Sequence, residues 1–214
     1  SFVYEPGAVV AGRYRLDAVL GEGGMATVFS AFDVELDDAV AIKVFTRELN
    51  EPELLHRFKQ ELSLSRRITH SNVIRLYDMS VWGGRRFLTM ELLEGSDLAD
   101  YIGTAVDVRV GLNWLAQAAR GLDAAHELGV IHRDVKPHNI FVCHDGRVKV
   151  MDFGMARRLR KPGMTVGQVV AGTPEYMSPE QISGFSTVTA STDVYALGVI
   201  AYQLFTGRLP FEHQ

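Results

Sequence analysis

The chain has 214 residues, 47% of them apolar and 22% charged, with a formal net charge of −4. This is the balance of an ordinary soluble globular protein, long enough for one large core or two small lobes, and it lacks the basic footprint of a nucleic-acid binder. The single cysteine, Cys143, excludes an internal disulfide and a thiolate zinc cluster and suits a reducing cytosol. No signal peptide is read at Ser1-Phe2, and the run from about Val194 to Phe205 is too short and too interrupted to span a bilayer. The start without methionine and the stop at Gln214 are read as the ends of a piece of something longer.

The first ninety residues read mainly as strands. Tyr14 to Leu20 alternates like a half-buried strand and runs into Gly21-Glu22-Gly23-Gly24; Thr27 to Phe32 resumes the pattern, making a hairpin around the glycines. Asp37-Asp38 marks a turn before a third strand, Ala39 to Phe45. Asn50 and Glu53 form a capping box with Pro52 in the first turn of a helix, whose inward stripe is Leu54, Phe58, Leu62, Ser65 and Ile68. Glu61 falls on the same stripe, where a carboxylate needs a partner. Phe87 to Gly95 is a strand running into a hinge. Beyond it the pattern turns helical. Leu112, Leu115, Ala119, Leu122 and His126 make one amphipathic face, with Gly129 at the C-cap; two short strands flank Asp145-Gly146. Val194 to Phe205 is a mostly apolar helix that must be buried. The division this implies is an extension over residues 1–12, a first lobe over 13–93 and a second over 94–214.

Two segments carry chemistry. His132-Arg133-Asp134-Val135-Lys136-Pro137-His138-Asn139 is followed thirteen residues after Asn139 by Asp152-Phe153-Gly154. In chain order these supply a carboxylate, a cation, an amide oxygen and a second carboxylate, the groups that orient a hydroxyl, neutralise phosphate charge and ligate a divalent cation. The other segment is Gly21-x-Gly23-x-x-Ala26-x-Val28, with Val40-Ala41-Ile42-Lys43 one strand later. Glycines at a hairpin tip let backbone N–H groups approach phosphate oxygens with no Cβ in the way.

Together these segments resemble the eukaryotic-type protein kinases, over roughly Arg13 to Phe211. The resemblance implies an α+β, bilobal protein-kinase-like fold, with a β-rich N-lobe and a mainly helical C-lobe truncated after its buried central helix. It implies Asp134 as base, Lys136 as phosphate clamp, an ion pair between Lys43 and Glu61, and Thr173 bridging Asp134 and Lys136. Asn139 and Asp152 are the implied metal ligands. Gly21 and Gly23 cover the phosphates, with Ala26 in place of the third glycine. Leu20, Val28, Ala41, Ile74 and Phe141 sandwich the adenine, Met90 is the gatekeeper, the Glu91 carbonyl and Leu93 amide read the adenine edge, and Asp97 reaches the ribose. Arg133 and Arg157 await a phosphate on Thr165, the only hydroxyl residue between Gly154 and Gly172. Asp193 is expected on backbone amides of the catalytic loop, and Glu180 lacks the arginine that would pair with it.

Lys136 in its Lys-Pro-x-Asn setting is similar to the serine/threonine class. The Gly-Gly-Met-Ala loop, Ser178 to Gln181 and Gly207 to Phe211 look like the bacterial receptor-type branch. The implied activity is that of a non-specific serine/threonine protein kinase in signal transduction. It would use ATP with Mg²⁺, or Mn²⁺ in its place, act on serine or threonine of protein substrates, and phosphorylate its own activation loop, with a homodimer serving transfer in trans. The implied location is cytoplasmic, either as such or as the cytoplasmic kinase domain of a longer membrane-anchored protein. Two other readings stay open: a pseudokinase-type nucleotide-binding interaction module, and a small-molecule phosphotransferase, against which Phe153-Gly154, Thr173 and Pro179-Glu180 speak.

Overall fold

Alternation of apolar side chains underlies an antiparallel sheet built from strands within residues 9–45 and 76–91, as its register shows. The computed structural model describes residues 4–24, 26–46, 52–153, 174–183 and 188–211, apart from the side chains of residues 52–54, 57 and 61. The chain forms two units, Ser1–Arg57 with Arg75–Leu93, and Phe58–Ile74 with Glu94–Gln214.

In the first unit, strands β1 (Val9–Val10), β2 (Tyr14–Glu22), β3 (Ala26–Asp33), β4 (Asp38–Phe45), β5 (Leu76–Trp82) and β6 (Arg85–Glu91) lie in the order β1-β2-β3-β4-β6-β5. Phe29 pairs with Ile42, Ala31 with Val40, and Val44 with Phe87. Successive side chains point to opposite faces, so these six share one face, where they form a core with Val10, Tyr14 and Leu16. Val28, Lys43 and Leu88, and then Ser30, Ala41 and Met90, line the other face. Arg13 clamps Asp33 with two bonds of 2.8 and 2.6 Å, and Asp33 also accepts the N–H groups of Glu35 and Leu36. The Arg13 guanidinium is the main cause holding the Asp33 carboxyl below its ordinary range.

Two expectations change here. Within the segment read as an extension, Val9–Val10 pairs with Tyr14 and Arg15, and the Tyr4 hydroxyl donates to the Trp82 carbonyl at 2.6 Å. Burial alternates along β2 only as far as Leu16, because a register shift between Leu16 and Ala18 interrupts the regular pleat; a second shift, between Val19 and Gly21, falls at Leu20, which is 54% exposed.

In the second unit, β7 (Gly95–Asp97), β8 (Ile140–Cys143) and β9 (Val148–Val150) form a small sheet in that order. Of helix α1 (Pro52–Ser65), Phe58, Leu62 and Ser65 are buried, and so is Ile68 just beyond it. Asn50 lies outside the described residues. Helix α2 (Val108–His126) starts on the Asp107 carboxylate, which accepts the N–H groups of Arg109 and Val110. Its buried stripe is Gly111, Trp114, Leu115, Ala118, Gly121, Leu122 and Ala125, rotated from the face read in the sequence. Leu112 and Ala119 are exposed. Close approach decides the rotation: a Cβ on Gly121 would stand 2.5 Å from the Asn72 carbonyl oxygen, so the helix seats its small residues inward. Gly129 adopts φ +73°, and its N–H caps the His126 carbonyl at 2.8 Å.

Asn72 and Gln117 hold the β8–β9 hairpin from within. The Asn72 amide donates to Gln117 Oε1 at 3.0 Å and to the Val148 carbonyl at 2.8 Å, and Gln117 donates to the Gly146 carbonyl at 3.0 Å. Helix α3 (Pro179–Ser183) is a single short turn, and α4 (Ser191–Thr206) ends on Gly207 at φ +71°. Among the described residues α4 is not buried all round. Ala196, Val199, Ile200 and Leu204 are covered, whereas Val194 and Tyr202 are 64% and 49% exposed. At Gly95, φ is +150° and a Cβ would collide with the Val142 carbonyl oxygen, so only glycine lets β7 pair with β8 here.

Candidate active site

The segment from His132 to Asn139 is tied down by groups far away in sequence. Asp193, at the first turn of α4 and fully buried, accepts the His132 N–H with Oδ2 and the Arg133 N–H with Oδ1, both at 2.8 Å, as expected from the sequence. His126 Nε2 adds a 2.7 Å contact to the same carboxylate. The buried His132 ring bridges the segment internally, with Nε2 2.7 Å from the Met151 carbonyl and Nδ1 accepting the Asp134 N–H at 3.3 Å. It also packs against the Phe153 ring at 4.7 Å. Arg133 is thereby held at φ +66°, a region non-glycine residues rarely occupy.

Asp134 is then presented as a partly exposed carboxylate with two neighbours. Lys136 Nζ lies 3.3 Å from Oδ2, and Asn139 Nδ2 donates to the Asp134 carbonyl at 2.7 Å and to Oδ2 at 3.3 Å. With its side-chain nitrogen committed to Asp134, the atom the Asn139 side chain can offer a cation is Oδ1. The Asn139 carbonyl accepts the Met151 N–H at 2.9 Å, which joins this segment to the strand leading into Asp152, itself at φ +59°. Among the described residues no cluster of three or more His, Cys, Asp or Glu side chains could hold a metal ion. An amide oxygen and a carboxylate still fit Mg²⁺, which usually takes one or two carboxylates and completes its shell with water and phosphate oxygens.

In the first unit, Gly21 pairs with Val28, and the Gly23 N–H donates to the Ala26 carbonyl at 2.9 Å, closing the hairpin. A Cβ on Gly21 would meet nothing within 4 Å, and one on Gly23 only the Ala26 carbonyl oxygen at 3.6 Å. The fold of the described residues therefore does not require glycine at either position, which is the condition a hairpin kept clear for a ligand would meet. Ala41 and Met90 are buried cross-strand partners, and Lys43 is half-buried between Val28 and Leu88 in the register. Glu91 closes a turn with Arg75, its Oε1 accepting the Arg75 N–H at 2.7 Å; Leu93 is half-buried.

In the second unit, Ile74 is buried with its N–H on the Val150 carbonyl, and Phe141 pairs with Asp97 across β7 and β8. Asp97 caps the turn at Leu98–Tyr101 through the Ala99 N–H and lies 3.1 Å from His138 Nδ1. The Glu61 side chain and residues Thr165, Arg157 and Thr173 lie outside the described residues. The sequence reading assigned no role to His126, His132, Gln181 or Thr192. Each has a partner 12 to 67 positions away, and those long-range bonds have no local signal. Thr192 takes up Glu180, donating to its Oε1 at 2.9 Å. A pocket beside Asp134 is lined by Arg133, Lys136, Tyr176, Met177 and Gln181 among others.

A sheet unit carrying a glycine hairpin and a half-buried lysine on the face opposite its core, with a second unit presenting the Asp134 cluster, defines a protein-kinase fold. The protein kinase domain family model matches residues 14–214, and the chain belongs to that family. It is 37% identical over 209 residues to the serine/threonine-protein kinase PrkC of Bacillus subtilis, covering 96% of this chain and 32% of that protein. It is 42% identical over 210 residues to the serine/threonine-protein kinase Pkn1 of Myxococcus xanthus, covering 95% and 30% respectively. The chain thus spans about a third of the length of these curated bacterial relatives. The crystal structure of the Mycobacterium tuberculosis PknI kinase domain superposes with a TM-score of 0.77 at 27% identity, over 98% of this chain and 78% of that one. Kinases of this family use ATP and Mg²⁺.

Proposed function

We propose that this chain transfers the γ-phosphate of ATP to serine or threonine hydroxyls of protein substrates. The observation that carries the reading is the cluster around Asp134: a carboxylate within 3.3 Å of both Lys136 Nζ and Asn139 Nδ2, on a loop whose backbone is held at both ends. A carboxylate so placed can accept a hydrogen bond from an acceptor hydroxyl, align its oxygen and take its proton as the bond to phosphorus forms. Lys136 neutralises charge that develops beside it.

Asn139 and Asp152 would hold Mg²⁺; the ion, when bound, gathers the phosphates and neutralises their charge. In the first unit Gly21, Gly23 and Lys43 would hold the phosphates, with Glu61 as counter-ion to Lys43. Leu20, Val28, Ala41, Met90, Glu91 and Leu93 would serve the adenine, together with Ile74 and Phe141, and Asp97 the ribose. The exposure of Leu20 leaves its side chain accessible for that contact. Arg133 Nε is buried with no partner among the described residues, which supports its reading as a cation awaiting a phosphate on Thr165, with Arg157. Residues 13–93 and 94–214 would act as the two lobes of a cytoplasmic kinase, with autophosphorylation in trans. No described helix is long and apolar enough to cross a membrane.

The test is incubation with labelled ATP and Mg²⁺, with and without a protein acceptor, for the parent and Asp134→Asn. Transfer to protein that is lost in Asp134→Asn, with ATP binding retained, is the expected result. Nucleotide binding without transfer in the parent would make the chain a pseudokinase-type module, and transfer confined to small molecules a phosphotransferase of another class.

A further inference from the structure

We infer that Gln181 is a positioning residue that fixes the peptide plane between Arg133 and Asp134, and through it the carboxylate of Asp134. The inference rests on the kinase reading above and extends it to a residue to which that reading gives no role in the transfer step. Gln181 lies on α3 and is 3% exposed, and both ends of its amide are used. Oε1 accepts the Ser178 N–H at 3.1 Å, and Nε2 donates to the Arg133 carbonyl at 2.8 Å, across 48 residues of chain. The Arg133 N–H goes to Asp193 Oδ1 at 2.8 Å. Asp193 and Gln181 therefore grip the two peptide groups that flank a residue held at φ +66°.

The physical need follows from that conformation. A non-glycine residue in the left-handed region sits above its relaxed state and persists only where its surroundings hold it. The Arg133 carbonyl and the Asp134 N–H belong to one rigid plane, whose opposite edge has only a 3.3 Å bond to His132 Nδ1. Without the Gln181 donor the plane can swing, and Asp134 swings with it. Misplacing a reacting group by about 1 Å can cost about a hundredfold in rate. Gln181 itself bonds only Ser178 and Arg133, none of the residues proposed to hold ATP, so the loss is expected on the transfer step.

Two variants separate the clamp from a role in capping α3. Gln181→Leu keeps the bulk and removes both bonds. Gln181→Glu keeps an oxygen for the Ser178 N–H but sets an oxygen against the Arg133 carbonyl. In both, kcat should fall about tenfold or more while the KM for ATP stays within about twofold. Amide hydrogen exchange at Asp134 should quicken about tenfold while the amides of α4 keep their rates. Unchanged exchange at Asp134 in both variants overturns the inference whatever the activity, as does unchanged kcat in an active parent, or quickened exchange throughout α4. If the parent itself transfers no phosphate, the kinase reading fails and the exchange comparison alone decides the clamp.

Discussion

Asp193 is the deepest anchor of the catalytic segment, and removing its charge should cost stability by an amount its bonds predict. Its side chain is fully buried and takes three donors or contacts: the N–H groups of His132 and Arg133, and His126 Nε2. Asp193→Ala leaves two buried N–H groups without an acceptor, at about 1–3 kcal/mol each, so a loss of about 3–5 kcal/mol is expected. Asp193→Asn can keep its oxygen at the Oδ2 position, where it still serves His132 and His126, and turns its NH₂ toward the Arg133 N–H. One bond to a charged acceptor disappears, for about 1.5–3 kcal/mol. The chain has two tryptophans, and Trp114 packs in the same cluster as Ala196 and Leu204 of α4. In a Trp82→Phe background, Trp114 fluorescence during urea unfolding should show a lower midpoint with unchanged slope, Ala below Asn below parent. If both variants stay within about 0.5 kcal/mol of the parent, or Asn is worse than Ala, the carboxylate is not the anchor described here.

Gly121→Ala should destabilise the second unit by about 1–3 kcal/mol, since its Cβ would meet the Asn72 backbone; the same fluorescence assay reads it, and a neutral result would mean that α2 can shift. The lowered Asp33 carboxyl gives a signed pH effect: its ionised form contributes stability above the unfolded value near about 4, and that contribution is lost as pH falls below it. The midpoint of unfolding reported by Trp82, in a Trp114→Phe background, should therefore fall on acidification more steeply for the parent than for Asp33→Asn; equal pH profiles would refute the Arg13 clamp. Lys43→Met should cut the transfer rate by orders of magnitude and Glu61→Gln should act on the same step; a Glu61→Gln rate within about twofold of parent removes the ion pair from the active state. Thr165 should carry phosphate after incubation with ATP, by mass spectrometry, and Thr165→Ala should be less active; an unmodified Thr165 or a fully active variant would leave Arg133 as a structural residue.

The strands and the chemistry-bearing loop were legible because their signals are local. Alternation from Val40 to Phe45 places Ala41 and Lys43 on one face in the sequence, and the register with Ser30, Val28, Leu88 and Met90 agrees. The face of α2 was not legible, because apolar weight pointed to Leu112 while close packing selected Gly111, Ala118 and Gly121. Helix α4 misled in a similar way: the sequence shows that Val194 and Tyr202 are apolar or aromatic, not which neighbours cover them. The holders of the catalytic segment escaped for another reason. Gln181 and His126 are ordinary polar residues on helices, and only folding brings them to Arg133 and Asp193.

The glycines separate two kinds of selection that a mutational scan could read independently. At Gly95 and Gly121 the space for a side chain is already taken by the protein's own backbone. At Gly21 and Gly23 that space is open. A library screened for folding alone should therefore deplete substitutions at the first pair and retain alanine at the second. A library screened for nucleotide binding should purge all four, and the difference between the two maps would outline the ligand from the positions where the fold itself is indifferent.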